Sequence, residues 1–308
     1  MNTTDNHRLL GVSAGAPDGS AEILLKSALQ EAEAAGAAVE IIRLADLELP
    51  SGIGDEHPGD AWWYWDRLLE SDGVVFSTPI ITRTMDARLK SLVDFLLGPN
   101  ADAAMVEKLL AAERRGEVET IPFRADERVL RPRVAGFLAV GGSLTPQWKS
   151  LALPLMHTLT QAMSIGVVDQ AVFAGAGTPQ SIVLDEEALE RARLLGRRVS
   201  GQLGRGLDDA QYQGESGACP MCHLSVVELH GSDVICAACG SRGTLNADFT
   251  VRWTNLDTSV ISMVERAEHS DEIGETAAEH APHRDFIQAR AAEFAAYDRT
   301  IRPEGATV

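Results

Sequence analysis

Cysteine is scarce and confined. The 308-residue chain has four, at Cys219, Cys222, Cys236 and Cys239, and none elsewhere. A disulfide framework running through the chain is excluded, and the clustering fits a metal site in a reducing compartment better than paired disulfides. Cationic residues are also few, 27 Lys and Arg against 45 Asp and Glu, a net charge of -18. That deficit argues against a nucleic-acid or acidic-membrane partner, since no cationic excess is present to neutralise phosphates. No apolar run approaches the roughly 20 residues needed to cross a bilayer. The amino-terminal M-N-T-T-D-N-H-R lacks the apolar core of a signal peptide. The expectation is a cytoplasmic protein without a membrane partner. Two phosphate-binding fingerprints are missing as well, G-x-G-x-x-G and G-x-x-x-x-G-K-[ST], and no internal repeat is found.

What is present is an α/β pattern. With 45% hydrophobic residues the chain can bury a large core, and its length suits one large domain plus a smaller one. Short apolar runs at Arg8 to Ser13, Ala38 to Leu44, from Val74, at Val134 to Val140 and at Val167 to Ala174 read as buried strands. Helical spacing follows them: from Ile23 to Leu29, at Leu89, Leu92, Val93 and Leu96, over Gln147 to Ser164, and from Asp185 to about Leu203. A short helix from Asp60 to Glu70 carries Trp62, Trp63, Tyr64 and Trp65. Positions 62, 65, 68 and 69 share its core face, leaving Trp63 or Tyr64 for outward contacts. An irregular stretch, Gly98 to Arg133, contains a charged helix at Met105 to Arg115 and is too long for an idle connection. Five strands alternating with helices predict a three-layer α/β sandwich with a five-stranded parallel sheet.

Three loops in this scheme carry ligand-binding chemistry. After the first strand, A-G-A-P-D-G-S leads into a helix whose free amides and dipole suit an anion. Ser13 and Ser20 stand ready to add hydroxyls, unless Ser20 serves only as the helix cap. After the third strand, Pro79 sets the exit path and leaves Ile80 to Thr84 to offer main-chain groups to a planar ligand. After the fourth, Gly141-Gly142-Ser143 lets the main chain approach a ligand closely. In the strand order 2-1-3-4-5 these three loops meet at the topological switch point.

The segments G-V-S-A-G-A-P-D-G-S-A-E, T-P-I-I-T-R-T-M-D-A-R-L-K-S-L-V-D-F and A-V-G-G-S, in that order, resemble the NAD(P)H-dependent FMN reductase branch of the flavodoxin-like proteins over residues 8 to 204. The resemblance implies that Ser13, Gly15, Ala16, Ser20 and Ala21 hold the FMN phosphate. It places Thr78, Pro79, Ile80, Ile81, Thr82 and Thr84, with Met85 following, along the isoalloxazine and ribityl, and sets Gly141, Gly142 and Ser143 at the border of the ring. It further implies NAD(P)H as hydride donor, a small-molecule electron acceptor such as a quinone, free flavin or aromatic compound, and assembly as a homodimer or tetramer. No catalytic acid, base or nucleophile is expected, because the cofactor carries the chemistry. Lys149 and His157 read as ordinary residues of the helix after the fourth strand, and Trp148 as ring cover or core filler. Three positions depart from the family pattern: Asp18 where a cation is common, Ile81 in place of an aromatic, and Arg83 in place of a small residue. Asp18 should weaken phosphate binding unless it points outward, and Arg83 would either crowd the nicotinamide or grip an anionic substrate.

The strongest chemical signal lies beyond these loops. C-P-M-C at 219 to 222 and C-A-A-C-G at 236 to 240 put two thiolates on each of two tight turns, enough for a tetrahedral four-sulfur shell, with Gly240 letting the backbone turn beneath it. Between them a hairpin should turn at Gly231-Ser232. The module is similar to a zinc ribbon, with Zn2+ in a closed structural site. Iron is the alternative, although rubredoxins space their pairs further apart. Arg242 and Arg252 are a thin basic complement, so nucleic-acid binding is not expected. Phe249 to Trp253 reads as another strand, and the acidic tail with His269, His280 and His283 as solvated helices. The expected organisation is an FMN-binding domain over 1–206, a four-cysteine module over 207–254, a helical tail over 255–308, and disorder in the last residues. The resulting reading is an FMN-dependent NAD(P)H oxidoreductase. The alternatives are an electron-transfer flavoprotein with a rubredoxin-like iron centre, and a cofactor-free interaction module.

Overall fold

Runs of valine, leucine and isoleucine form the strands of a parallel sheet, because such a sheet is covered on both faces and needs no polar alternation. The computed structural model describes residues 7–96, 98, 101–117, 125–297 and 299–301. Residues 118–124 of the irregular connection and the terminal segment 302–308, where disorder was expected, lie outside the described residues. The chain runs β1 (Arg8–Ser13), α1 (Ser20–Ala34), β2 (Ala38–Arg43), α2 (Ala61–Glu70), β3 (Gly73–Pro79), α3 (Ala87–Leu96), α4 (Ala103–Arg114), β4 (Val134–Val140), α5 (Ala152–Met156), β5 (Gly166–Phe173) and α6 (Glu186–Ser200). All pairings in this sheet are parallel and the order is β2-β1-β3-β4-β5, the flavodoxin-type order in which the loops after β1, β3 and β4 adjoin.

Successive residues of each strand feed opposite cores. Leu10, Val12, Val74, Phe76, Ala135 and Phe137 face the layer built from α2, α3 and the segment after β4. Leu9, Val75, Val134, Leu138 and Val140 face α1 and α6. Those two helices approach so closely that a Cβ at Gly196 would stand 2.0 Å from the Ala28 carbonyl oxygen, which reserves the position for glycine.

Two local expectations are corrected. The continuous helix over Gln147 to Ser164 is instead a 3-10 turn at Pro146–Trp148, the five-residue α5, and two further 3-10 turns. Pro154 has no amide hydrogen and is tolerated only within a first helical turn. Thr158 and Thr160 donate their hydroxyls to the carbonyls of Leu155 and His157, and Ser164 ends the segment at φ 53°. In α2 it is Tyr64 that is buried with Trp65, Leu68 and Leu69, while Trp62 is half exposed and packs edge-on to Phe95 at 5.7 Å.

A second, antiparallel sheet follows in the order β6 (Val227–His230), β7 (Asp233–Cys236), β8 (Arg242–Leu245) and β9 (Val251–Asn255). Its first hairpin turns at Gly231-Ser232, with Gly231 at φ 67°. The last strand starts later than expected because Phe249, at φ 64°, belongs to the preceding turn. Two helices close the chain, α7 (Met263–His280) and α8 (Arg284–Ala295). Contacts divide the chain into units Met1–Arg266 and Ala267–Val308. In the second, α8 buries no residue, and His269, His280 and His283 are exposed, as a solvated acidic helix would have them. Among the described residues no helix is long and apolar enough to cross a membrane.

Candidate functional site

Parallel strands end together, so the loops after β1, β3 and β4 emerge side by side at one sheet edge. A Cβ at Gly15 would lie 3.1 Å from Ala21 Cβ and 3.7 Å from Pro79 Cδ, which joins the first loop to the end of β3. A Cβ at Gly141 would lie 3.4 Å from Ile80, and the Ile80 amide donates to the Val140 carbonyl at 2.7 Å. Gly142 faces Gly177, where a Cβ would come within 2.9 Å of backbone. The loops are thus held in one row by close packing and by main-chain bonds where the strands end, Ile80 to Val140 and Ala14 to Ser77.

The first loop has the features of an anion cradle. Gly19 is the N-cap of α1 and makes no side-chain cap bond, so Ser20 does not cap the helix, and the first-turn amides of Ser20 and Ala21 have no intrahelical acceptors. Ser13, at the end of β1, is buried with its hydroxyl unpartnered. Ala16 is exposed at the loop tip, and Ala21 is buried, its carbonyl accepting the Ser77 hydroxyl at 2.7 Å. Asp18 points outward and pairs with Lys26 at 2.7 Å. The cation at this loop comes from elsewhere: Arg88, on α3, donates Nη2 to the Ala14 carbonyl at 2.5 Å while its Nε binds Asp86 at 2.9 Å. Sequence reasoning missed Arg88, since nothing in its spacing connects it to a loop 74 residues earlier.

Beneath the cradle, Glu22 is buried and accepts from Arg43 Nε at 2.9 Å, from Arg43 Nη2 at 2.8 Å and from Lys26 at 2.7 Å. The Arg43 hydrogen bonds, with those of Lys26, hold its carboxyl at about 2 against an ordinary 4.5. A depressed carboxyl pKa stabilises the fold above the ordinary value and loses that contribution as pH falls toward about 2. With both cations partly exposed, Glu22→Gln is expected to cost about 1–2 kcal/mol at pH 7. Urea titrations should show the gap to wild type narrowing below pH 4.5; a gap of constant size down to the acid limit would refute the pairing.

At the end of β3, Thr78 is buried and its hydroxyl accepts the Asp86 amide at 3.0 Å, so the side chain is committed inward. Pro79 and Ile80 are half-buried, whereas Ile81 and Thr82 are exposed. The amides of Ile80, Ile81 and Thr84 are donated within the protein, to Val140, Thr84 and Ile81, which corrects the expectation that this stretch keeps its main chain free. Thr84 also turns its hydroxyl onto the Ile81 carbonyl, and Met85 is core. Arg83 neither crowds the row nor stands free. Its Nε donates to the Gln147 carbonyl at 2.8 Å and its Nη2 to Ser150 Oγ at 3.2 Å. In the third loop, Gly141 is buried, Gly142 exposed, and Ser143 Oγ lies 3.1 Å from Thr145 Oγ1.

The four cysteines come together. All four are buried, and their sulfurs lie within 4.8 Å of one another, with Cys219 to Cys239 at 3.6 Å and Cys222 to Cys236 at 3.5 Å. Four sulfurs about 2.3 Å from a single tetrahedral ion would be roughly 3.8 Å apart, so the shell fits one ion. A multi-iron cluster is itself several ångströms across and would hold the sulfurs wider. Hydrogen bonds from Cys219 and the two other thiols hold Cys239 well below the usual thiol range, and the same crowding pushes Cys222 and Cys236 up. Gly240, at φ 83°, turns the chain where a Cβ would meet the Thr258 carbonyl oxygen at 2.9 Å.

A buried polar chain docks this module on the parallel sheet. Gln170, on β5, donates Nε2 to the Cys222 carbonyl at 2.9 Å, and its amide oxygen lies 3.0 Å from His157 Nε2. Burial lowers His157 to about 4, and its ring stands edge-on to Phe137 at 5.3 Å. His157 is therefore a buried connector, not the ordinary helix residue its spacing suggested. Trp148 fills no core, being 54% exposed.

Comparison with known proteins agrees with this geometry. The family described as NADPH-dependent FMN reductase matches residues 8–178. A flavone synthase, cfoJ, of Aspergillus candidus is 33% identical over 258 residues, covering 77% of this chain and 78% of that protein. The iron-sulfur flavoprotein MJ1083 of Methanocaldococcus jannaschii is 26% identical over 210 residues, covering 63% of this chain and 95% of its own. Among solved structures, a flavone reductase superposes with a TM-score of 0.82 at 28% identity, covering 96% of this chain and 100% of that one. Family match, relatives and loop geometry coincide, and the chain belongs to the NADPH-dependent FMN reductase family of oxidoreductases.

Proposed function

We propose that the protein binds FMN at the row of loops after β1, β3 and β4 and passes a hydride from NADPH or NADH to a flat aromatic acceptor of the flavone type. The four-cysteine site would hold a structural Zn2+. The observation that carries the reading is the anion cradle at the first loop: unpartnered Ser13 hydroxyl, uncapped α1 and the Arg88 guanidinium, all beside the end of β3. Ser13, Gly15, Ala16, Ser20 and Ala21 would hold the phosphate. The main chain at Pro79–Thr84 and at Gly141–Ser143 would border the ring. Bound FMN supplies the two-electron relay; in the net reaction the nicotinamide loses a hydride and the acceptor gains it with one proton from solvent. The flavone class is supported by the names of two relatives, a flavone synthase and a flavone reductase. Zinc is supported by the short interval of thirteen residues between the two cysteine pairs and by the closed, buried shell.

Fluorescence titration with FMN tests the reading, with one equivalent expected to bind. Arg88→Gln removes a charge-assisted contact at the phosphate loop and should weaken FMN by about tenfold with little change in melting temperature. A chain that leaves FMN fluorescence unquenched, or an Arg88 variant with wild-type affinity, would sink the assignment.

A further inference from the structure

The tip of the loop after β3 is conformationally costly. Ile81 and Thr84 exchange two main-chain hydrogen bonds, at 2.9 and 3.1 Å, across a two-residue turn in which Thr82 has φ 46° and Arg83 φ 76°. Such turns ordinarily take Asn-Gly or Gly-Gly, and a β-branched threonine with positive φ is costly, on the order of 1–3 kcal/mol. A turn of this kind persists when its surroundings hold it. Here the restraint is Arg83 itself, bonded through Nε and Nη2 to Gln147 and Ser150, 64 and 67 residues further along the chain.

The two segments joined by this tether both present large apolar side chains to solvent. Ile81, at the tip, is 53% exposed; Leu144 and Trp148, on the anchoring segment, are 77% and 54% exposed. Leu144 also lines an open cleft of about 750 Å3 beside β5, so the space on that side of Leu144 can admit a ring system. We propose that Arg83 is a specificity-determining residue. By pinning the tip to the segment 144–150 it assembles Ile81, Leu144 and Trp148 into one apolar wall, which takes a planar multi-ring aromatic acceptor in preference to a compact polar one. The proposal rests on the reading of the flavin site given above and names what selects the acceptor there. A tethered wall is pre-organised, so the ligand need not order it on binding; an untethered tip makes the ligand supply that ordering. Trp148 contributes the stacking face.

The test uses FMN-loaded full-length protein, NADPH, and two acceptors, flavone and ferricyanide. Arg83→Ala is expected to lower the flavone-to-ferricyanide ratio of kcat/KM by about tenfold, mainly through a higher KM for flavone. Trp148→Ala should do the same, and Ser150→Ala, which removes one of the two anchors, should have a smaller effect that vanishes in the Arg83→Ala background. Flavone binding is also followed without turnover, by quenching of tryptophan fluorescence in flavin-free protein, and should weaken in Arg83→Ala. An FMN titration on the same samples reports on the flavin site separately. If Arg83→Ala leaves both the acceptor ratio and flavone binding unchanged, the wall is not what Arg83 builds, whatever happens to FMN affinity. Loss of FMN binding with a preserved flavone affinity would likewise overturn the proposal.

Discussion

Arg133→Met is expected to lower the stability of the protein by about 3–5 kcal/mol, one of the largest effects of any single substitution outside the cysteines. Arg133 is fully buried at the start of β4, and each of its five N–H donors has its own acceptor. Nε donates to Ser71, Nη1 to Val129 and Arg131, and Nη2 to Leu69 and Arg128, all main-chain carbonyls at 2.6 to 3.3 Å. Two of the acceptors, Leu69 and Ser71, lie at the carboxyl end of α2, where a cation also favours the helix dipole. Burial lowers the guanidinium to about 10, so it remains charged at neutral pH. Methionine fills much of the volume and leaves buried carbonyls without partners. Arg133→Lys keeps the charge with only three donors and should fall between the two. Calorimetry is expected to show melting lowered by roughly 10 °C for the methionine variant. Because Arg133 sits at the amino edge of the sheet, opposite the loop row, FMN affinity should survive. Melting within about 2 °C of wild type would mean that the carbonyls find water, and the account of Arg133 would fail.

Metal loss should be more damaging. Elemental analysis of the as-isolated protein is expected to give one Zn2+ per chain, and Cys222→Ser to abolish it. Structural zinc contributes on the order of 10 kcal/mol to the folding of small four-ligand modules, which rarely fold without it. Hydrogen exchange is the direct readout. Protection across β6 to β9 should collapse in Cys222→Ser or after a mercurial reagent releases the metal. The effect should also reach the parallel sheet, because Gln170 would lose the Cys222 carbonyl and leave a buried amide beside His157 unsatisfied, at about 1–3 kcal/mol. Gln170→Leu separates the two contributions, keeping the metal while removing the link. Purified protein without metal that nevertheless shows full protection in β6 to β9 would remove the metal from the account.

Much of the fold was legible in the chain because it depends on local pattern. Each of the five parallel strands is a dense apolar run bounded by polar or glycine-bearing loops, and the structure starts and ends them within about a residue of the pattern. The turn at Gly231-Ser232 was equally readable, since glycine there supplies the positive φ a two-residue hairpin requires. Helical periodicity misled over Gln147 to Ser164, where Pro154 and backbone-bonding threonines compete with the helix. Apolar spacing alone also could not decide which face of α2 points inward, because four consecutive aromatic residues leave the moment ambiguous.

By itself the sequence determined five strands alternating with helices, the polar or glycine-bearing loops that follow three of them, and a four-thiolate centre. Each follows from hydrophobic periodicity, glycine placement or ligand spacing, all written in adjacent residues. Only the tertiary structure decided that Arg88 supplies the cation at the first loop, that Arg83 ties two loops together instead of occupying the space between them, and that His157 and Gln170 fasten the cysteine module to the sheet. The reason is reach. A long side chain chooses its partners from whatever the packed fold brings within hydrogen-bonding distance, and for Arg88 and Arg83 those partners lie more than sixty residues away in the chain.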